Sequence, residues 1–350
     1  MSNESSPPLR ICTLNVLCPE LLFFFWRGSY GLPLLDSEIS YEKSSRLRFD
    51  NIIRVLETVK PDILCLQEIS DSRFPSLDFF PTPEYLGRRL GLQVAGRSFK
   101  GAEMIWGFPP REQSRNAPQK KFDSGVATLY NPKRLDHAGQ LGKAESHGQS
   151  SIFRTGWGSP FTVDAFEVKG WEGPQFHVVN THIRMVYPNI LKPLTEFFQR
   201  VNSSFSASKI DWDRVVLCGD LNASSTPASE DFKIFLAAQS ALVDMPLGGS
   251  NAGGSESAYG GEKGETLKPR DDHILLSKGI VAPLGCAQSS LAPLLVMSTQ
   301  DSKLSTSDAS LWGVEGTQYT IHAGNSALLN EGGQGTSDHP LIYADIAIQP

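Results

Sequence analysis

Four strand-like runs in this chain end in side chains of the kind that grip phosphates and metal ions. RICTLNV brings Asn15, DILCLQEI brings Glu68, FHVVNTH brings Asn180 and His182, and RVVLCGDLN brings Asp220 and Asn222. A fifth segment, TSDHPLIYADI, sets Asp338 and His339 directly before another strand-like run. Open α/β sheets hold their ligands at the C-terminal tips of strands, so polar residues there are the first to weigh for chemistry. Singly, each has a plainer reading as a turn former or helix cap. Their recurrence at one strand end after another favours a shared site.

The residue types fit hydrolysis of a phosphate ester. A hard divalent cation such as Mg²⁺ takes oxygen ligands in octahedral geometry and keeps several waters, so one or two carboxylates suffice. Glu68 is the natural ligand, with the amide oxygen of Asn15 alongside; Mn²⁺ suits the same oxygen donors. Hydrolysis also needs an in-line water, a group to take its proton, and positive charge facing the phosphoryl oxygens. Asp220 can orient and deprotonate the water, Asn222 can hold phosphate or water in register, and His339, paired with a carboxylate, can carry the positive charge. Arg184, close behind His182, is either a further phosphate contact or a plain surface arginine. His137, His147, His177 and His322 stand in no motif and read as surface or packing residues.

Such side chains need buried strands to carry them. Apolar runs at residues 10–16, 62–67, 125–130, 161–168, 176–182, 214–219, 273–277 and 341–348 supply them, some alternating and some apolar throughout. Helical stripes lie between. Phe49, Ile52, Ile53 and Leu56 follow helical spacing and stop before Pro61, and Ile190, Leu194, Phe197, Phe198 and Val201 form a second stripe. Ser229 reads as the cap of a third helix carrying Phe232, Phe235 and Leu236. Strands alternating with helices mean layered α/β or α+β architecture. Because the motifs run from Asn15 to His339, one catalytic domain over residues 1–350 is expected. Four stretches interrupt the alternation: 18–42 with its apolar Leu21–Trp26 run, 99–122 with aromatics beside Arg111, Arg115, Lys120 and Lys121, the Gly/Ser-rich 248–264, and the weakly patterned 286–336.

Together LNVL, LQE, NTH, GDLN and SDH resemble the five sequence blocks of the endonuclease/exonuclease/phosphatase superfamily, which includes AP endonucleases, pancreatic deoxyribonuclease, inositol-polyphosphate 5-phosphatases, neutral sphingomyelinases and nocturnin-type deadenylases. The resemblance implies a four-layer α/β sandwich, two mixed sheets packed face to face with helices outside. It also implies site roles. Asn15 and Glu68 match the metal-end residues, with Asp338 added to them. His182 matches a phosphate-binding histidine with Asn180 next to it, Asp220 and Asn222 match the water-activating pair, and Asp338 and His339 form the last block. The family's R-x-D-Y-I block reads Arg270-Asp271-Asp272-His273-Ile274 here. Asp272 falls where the partner of the final histidine is expected, His273 replaces the aromatic residue, and Asp271 stands next to it.

Substrate follows less directly, since a fold does not select its function. PDILCLQE, NTHIRMVYPN and CGDLNASSTP resemble the deadenylase-like branch, which points to a nuclease on single-stranded RNA, cutting 3′ to 5′. A net charge of −6 means that any polyanion would be held by a local patch, with Lys120 and Lys121 the candidates beside Phe99, Trp106, Phe108 and Phe122. The alternatives are a sphingomyelinase-like or other small-phosphodiester hydrolase, kept open by the Leu21–Trp26 run, a DNA or AP endonuclease, and a binding module that has lost turnover. Five cysteines without metal or disulfide spacing fit a reducing compartment, and the start MSNESSPPLR carries no signal-peptide pattern, so an intracellular location, cytoplasmic or nuclear, is expected.

Overall fold

The first strand, β1 (Leu9–Asn15), shows how the layers arise. Leu9 and Ile11 point to one face, Cys12 and Leu14 to the other, and all four are buried, as in a strand covered on both sides. The computed structural model describes residues 5–16, 38–70, 81–103, 121–144, 159–183, 191–204, 211–223, 226–239, 242–244, 271–281 and 341–350. After β1 come α1 (Glu38–Val59), β2 (Ile63–Ser70), α2 (Pro83–Leu90), β3 (Gln93–Glu103), β4 (Lys121–Tyr130), β5 (Leu135–Ala144), β6 (Phe161–Val168), β7 (Phe176–His182) and α3 (Leu191–Ser204). A 3₁₀ turn (Trp212–Arg214), β8 (Val215–Asp220), α4 (Thr226–Ala238), β9 (Leu242–Asp244), β10 (Asp272–Ser277), β11 (Ile280–Val281) and β12 (Ile342–Ile348) complete the order.

These strands form two six-stranded sheets, ordered β11-β12-β1-β2-β4-β3 and β5-β6-β7-β8-β10-β9. Each is mixed. One parallel pair, β1–β2 in the first sheet and β7–β8 in the second, sits among antiparallel neighbours. Ile11, Cys65, Phe166, Phe176, Val178 and Cys218 pack between the sheets. Phe49, Ile52, Ile53 and Leu56 of α1 cover the outer face of the first sheet on Cys12, Leu14, Leu64 and Leu66. On the other side, Leu194, Phe197, Phe198, Phe232 and Phe235 of α3 and α4 cover Val163, Val179, Val215 and Leu217. Phe197 meets Phe161 and Phe198 edge to face at 5.6 and 5.3 Å, the geometry the ring quadrupole favours. Each such ring, fully buried, contributes roughly 1.5–3 kcal/mol of transfer free energy. Helix, sheet, sheet, helix: these are the four layers implied by the motif resemblance.

Local signals explain the element ends. Helix α1 stops at Val59 because Pro61 cannot continue it; Lys60 adopts φ +55° and its N–H closes on Leu56 O at 2.8 Å. Helix α2, not anticipated from the sequence, is nonetheless written there: Thr82 caps the Tyr85 N–H, Pro83 opens the helix, Glu84 is in the first turn, Arg88 and Arg89 in the last, and Gly91 closes it at φ +70°. Helix α4 begins at Thr226, so Ser229 lies inside it and is not its cap. The unanticipated strands β3, β5, β9 and β11 are edges or short. Each is paired on one side only among the described residues, so an apolar run is not required of it, and two register shifts break up β5.

Cys12, Cys65 and Cys218 are free thiols inside the core. Burial pushes the Cys12 and Cys218 thiols well above their usual range, which keeps them protonated and inert. Strand β12 closes the first sheet on the open side of β1: Leu9 is in register with Ile346, the Arg10 guanidinium grips Asp345 with two hydrogen bonds of 2.7 and 2.8 Å, and the Ser6 N–H donates to Ile348 O at 2.9 Å.

Candidate active site

Both parallel strand pairs end on the same side of the sandwich, and there the polar residues gather. In the β7–β8 pair, His182 is in register with Asp220, and Asp220 in turn with Asp272 across the antiparallel β8–β10 pair. Directly opposed strand residues share a face, so His182, Asp220 and Asp272 form one inward-facing rung. Gly219 makes the close approach possible. Its φ is +152°, and a Cβ at that position would run into the Thr181 carbonyl oxygen.

The facing rung comes from β1 and β2. Asn15, in register with Gln67, donates from Nδ2 to Asp220 Oδ2 at 3.0 Å, a buried bond across the sheet–sheet interface. Glu68 arrives by a different device. The β2–β4 register shifts by one residue between Gln67 and Ile69, and Glu68 occupies the bulge at φ +51°. A bulge re-aims a side chain, and a left-handed non-glycine residue carries strain of the kind found at functional sites. Oε1 of Glu68 stands 3.9 Å from His182 Nε2, which is 3.4 Å from Asp220 Oδ2. Exposure falls inward: the side chains of His182, Glu68 and Asp220 are 24%, 17% and 2% exposed, so solvent reaches the site past His182 and Glu68.

Asp220 is held from both ends. Its Oδ1 accepts the Asn222 N–H at 2.9 Å, and its Oδ2 the Asn15 amide. Asn222 has φ +52°, a conformation asparagine tolerates, and donates from Nδ2 to Ile183 O at 2.7 Å. Of the described non-glycine residues with positive φ, Glu68 and Asn222 are in the site and Lys60 is at a helix end. The neighbouring aspartates separate by register: Asp272 shares the face of Asp220, whereas the carbonyl of Asp271 accepts the Leu221 N–H at 2.7 Å.

One sequence expectation is corrected. Asn180 does not reach the site. It is 0% exposed; its Oδ1 accepts from Gln67 Nε2 at 2.8 Å, and its Nδ2 donates to Leu66 O at 3.2 Å and Ala127 O at 2.9 Å. An amide using its donor and acceptor inside the sandwich has nothing to offer a phosphate. Gln67 is the residue sequence reasoning overlooked, although an amide at an inward position after Ile63 and Cys65 is a visible signal. Arg184, Lys120, Asp338 and His339 lie outside the described residues, as does the side chain of Lys121. So do the 18–37 part of the apolar insert and the 248–264 and 286–336 stretches. No helix among the described residues is long and apolar enough to cross a membrane.

The family model for the Endonuclease/Exonuclease/phosphatase family matches residues 12–339, nearly the whole chain and all of the strand ends above. The chain belongs to that family. Members of the endonuclease/exonuclease/phosphatase family are phosphoester hydrolases, which agrees with the donor set assembled here. No curated protein matches the chain. Solved structures do. The human nocturnin catalytic domain with bound sulfate is 18% identical with a TM-score of 0.53, covering 98% of this chain and 95% of that one. ANGEL2, a 2′,3′-cyclic phosphatase, in complex with adenosine-2′,3′-vanadate, is 15% identical with a TM-score of 0.54, covering 97% and 96%. A family protein from Bacteroides thetaiotaomicron is 13% identical with a TM-score of 0.53, covering 99% of each. At these identities the likeness extends to the fold.

Proposed function

We propose that the chain is a divalent-cation-dependent phosphodiesterase acting on single-stranded RNA, removing nucleotides in the 3′ to 5′ direction. The observation that carries the chemistry is the convergence of Glu68 and Asp220 on His182 at facing strand ends, 3.9 and 3.4 Å from its Nε2. Among the described residues no group of three or more His, Cys, Asp and Glu could hold a metal ion. A single carboxylate with amide oxygens fits Mg²⁺ or Mn²⁺, which take oxygen ligands and keep several waters. Glu68 would hold the cation together with Asn15, whose amide nitrogen is turned to Asp220 and whose oxygen would serve as the ligand; Asp338 would join them by motif. The cation would supply Lewis-acid polarisation of the phosphoryl group.

The chain's own residues account for the rest. Asp220, with both oxygens oriented by Asn15 and Asn222, takes the proton of the attacking water. His182, at the solvent-facing side, binds a phosphate oxygen, and Asn222 holds the phosphate or water in line. His339, partnered by Asp272, balances the charge that builds on phosphorus.

RNA is favoured by two observations. Strands β3 and β4 run on past the end of β2: Ser70, the last residue of β2, pairs with Ser124, while Gly101, Ala102 and Glu103 continue to pair with Asp123, Phe122 and Lys121 beyond it. This ribbon overhangs the site end, and in the RNA reading the ribbon and Lys120 next to it would stack bases and grip phosphates. ANGEL2, a relative in fold, is described with an adenosine-2′,3′-vanadate bound. The deciding experiment is turnover of poly(A) RNA, single- and double-stranded DNA, sphingomyelin vesicles and inositol phosphates with Mg²⁺ or Mn²⁺. Preference for poly(A), lost in EDTA, is expected. Preference for vesicles would replace the RNA reading with the lipid one, and preference for duplex DNA with the endonuclease one.

A further inference from the structure

Immediately beneath the site the two sheets are joined by amides where apolar packing would ordinarily do. Thr13, Gln67 and Asn180 are all 0% exposed. Gln67 exchanges hydrogen bonds with Thr13 Oγ1 at 3.1 and 3.3 Å and donates across the interface to Asn180 Oδ1 at 2.8 Å. The Asn180 amide then donates to two backbone carbonyls, Leu66 O on β2 and Ala127 O on β4. Leu66 and Ala127 are themselves register partners. One side chain from the second sheet therefore spans two paired strands of the first.

Its place along the strands matters more than its chemistry. The β2–β4 ladder slips one pair further on, between Gln67 and Ile69, and the residue thrown out by the slip is Glu68. Gln67 is the residue before Glu68, and Asn180 precedes His182 by one strand period on the same face. A buried amide network is costly to leave partly satisfied and well suited to holding one geometry. Apolar residues of similar size would serve stability alone as well or better.

We infer that the Gln67–Asn180 bridge is a positioning device: it holds the bulge open and sets Glu68 against His182 across the two sheets. Neither residue touches the reacting atoms. The inference rests on the proposed cation-dependent reading, in which Glu68 is a ligand, and it goes beyond it by assigning the ligand's placement to a residue of the opposite sheet. Groups that orient metal ligands characteristically change affinity by about 10- to 100-fold when removed.

The test is Mn²⁺ binding, measured from the electron paramagnetic resonance signal of free Mn²⁺, on the unaltered chain and on Asn180→Ser, Gln67→Met and Thr13→Val, each with a melting curve. Asn180→Ser and Gln67→Met should weaken Mn²⁺ by about tenfold or more, Thr13→Val by less, and turnover should recover as Mn²⁺ is raised to saturation. A merely structural bridge would lower the melting temperature and leave Mn²⁺ affinity unchanged; that result overturns the inference while the proposed function stands. If the unaltered chain binds no Mn²⁺, the cation-dependent reading falls and takes this inference with it. Should Asn180→Ser fail to fold, Gln67→Met and Thr13→Val decide by the same criterion.

Discussion

Nε2 of His182 stands 3.4 Å from Oδ2 of Asp220, its register partner across the parallel β7–β8 pair. The same oxygen accepts the Asn15 amide at 3.0 Å, so a histidine and an asparagine from opposite sheets meet on one carboxylate. Asp220→Asn should keep this arrangement and remove the base, lowering kcat by about 10²–10⁴-fold. His182→Ala should lower kcat/KM by a comparable order. Groups that act as a unit do not add, so the double variant should be little worse than the worse single one. Strictly multiplicative losses in steady-state kinetics would show that one of the two is structural.

Glu68→Gln preserves size at a bulge whose strain is set by backbone, so the melting temperature should change little. Turnover should fall by several kcal/mol of transition-state stabilisation, and EDTA should abolish it in the unaltered chain. Full activity of Glu68→Gln, or in EDTA, would sink the cation-dependent mechanism.

Neutralising Lys120 and Lys121 to glutamine should raise KM for RNA and flatten its salt dependence, because each lost phosphate contact reduces counterion release. Hydrolysis of a small generic phosphodiester should be unchanged. An RNA KM indifferent to these changes would refute the β3–β4 ribbon as the binding surface. Trimming Phe23 to Trp26 is the companion experiment, since only the lipid reading expects it to abolish activity on vesicles.

Stability should fall on the acid side, in part through His177. Burial pushes this histidine below its ordinary value of 6.5, against a weaker opposing pull from Asp211. The native state thus holds the proton less well than the unfolded chain. As pH drops through 6.5 the unfolded chain takes up the proton first and stability declines; above that pH the ring is neutral in both states and the slope vanishes. Urea titrations between about pH 5 and pH 8 should show this loss, and His177→Gln should make it shallower. An identical pH profile in the variant would assign the loss elsewhere.

The layered fold was legible because its central strands are buried on both faces and so write continuous apolar runs: LRICTLN, ILCLQ and VVLCG each mark a strand of the core. The edges were not, because QVAGRSFKGAE and LDHAGQLGKA are paired on one side only among the described residues and can carry glycine and charge. The positions of Asn15, His182 and Asp220 at strand tips were legible by the same logic. Depth was not. The NTH motif sets Asn180 and His182 on one face, but a period of two does not say which of them the opposite sheet covers. Nor does ILCLQEIS reveal that Glu68 breaks the ladder, since a bulge depends on the partner strand that slips against it.

The pairing of β1 with β12 has a consequence for how the molecule is made. Leu9 is synthesised long before its partner Ile346, so one side of β1 stays unpaired until the strand around Ile346 is made. An unpaired apolar strand is a template for pairing with another chain. Translation that stops before Ile342 would leave that edge open for good, and the truncated product is one that chaperones and proteases must clear.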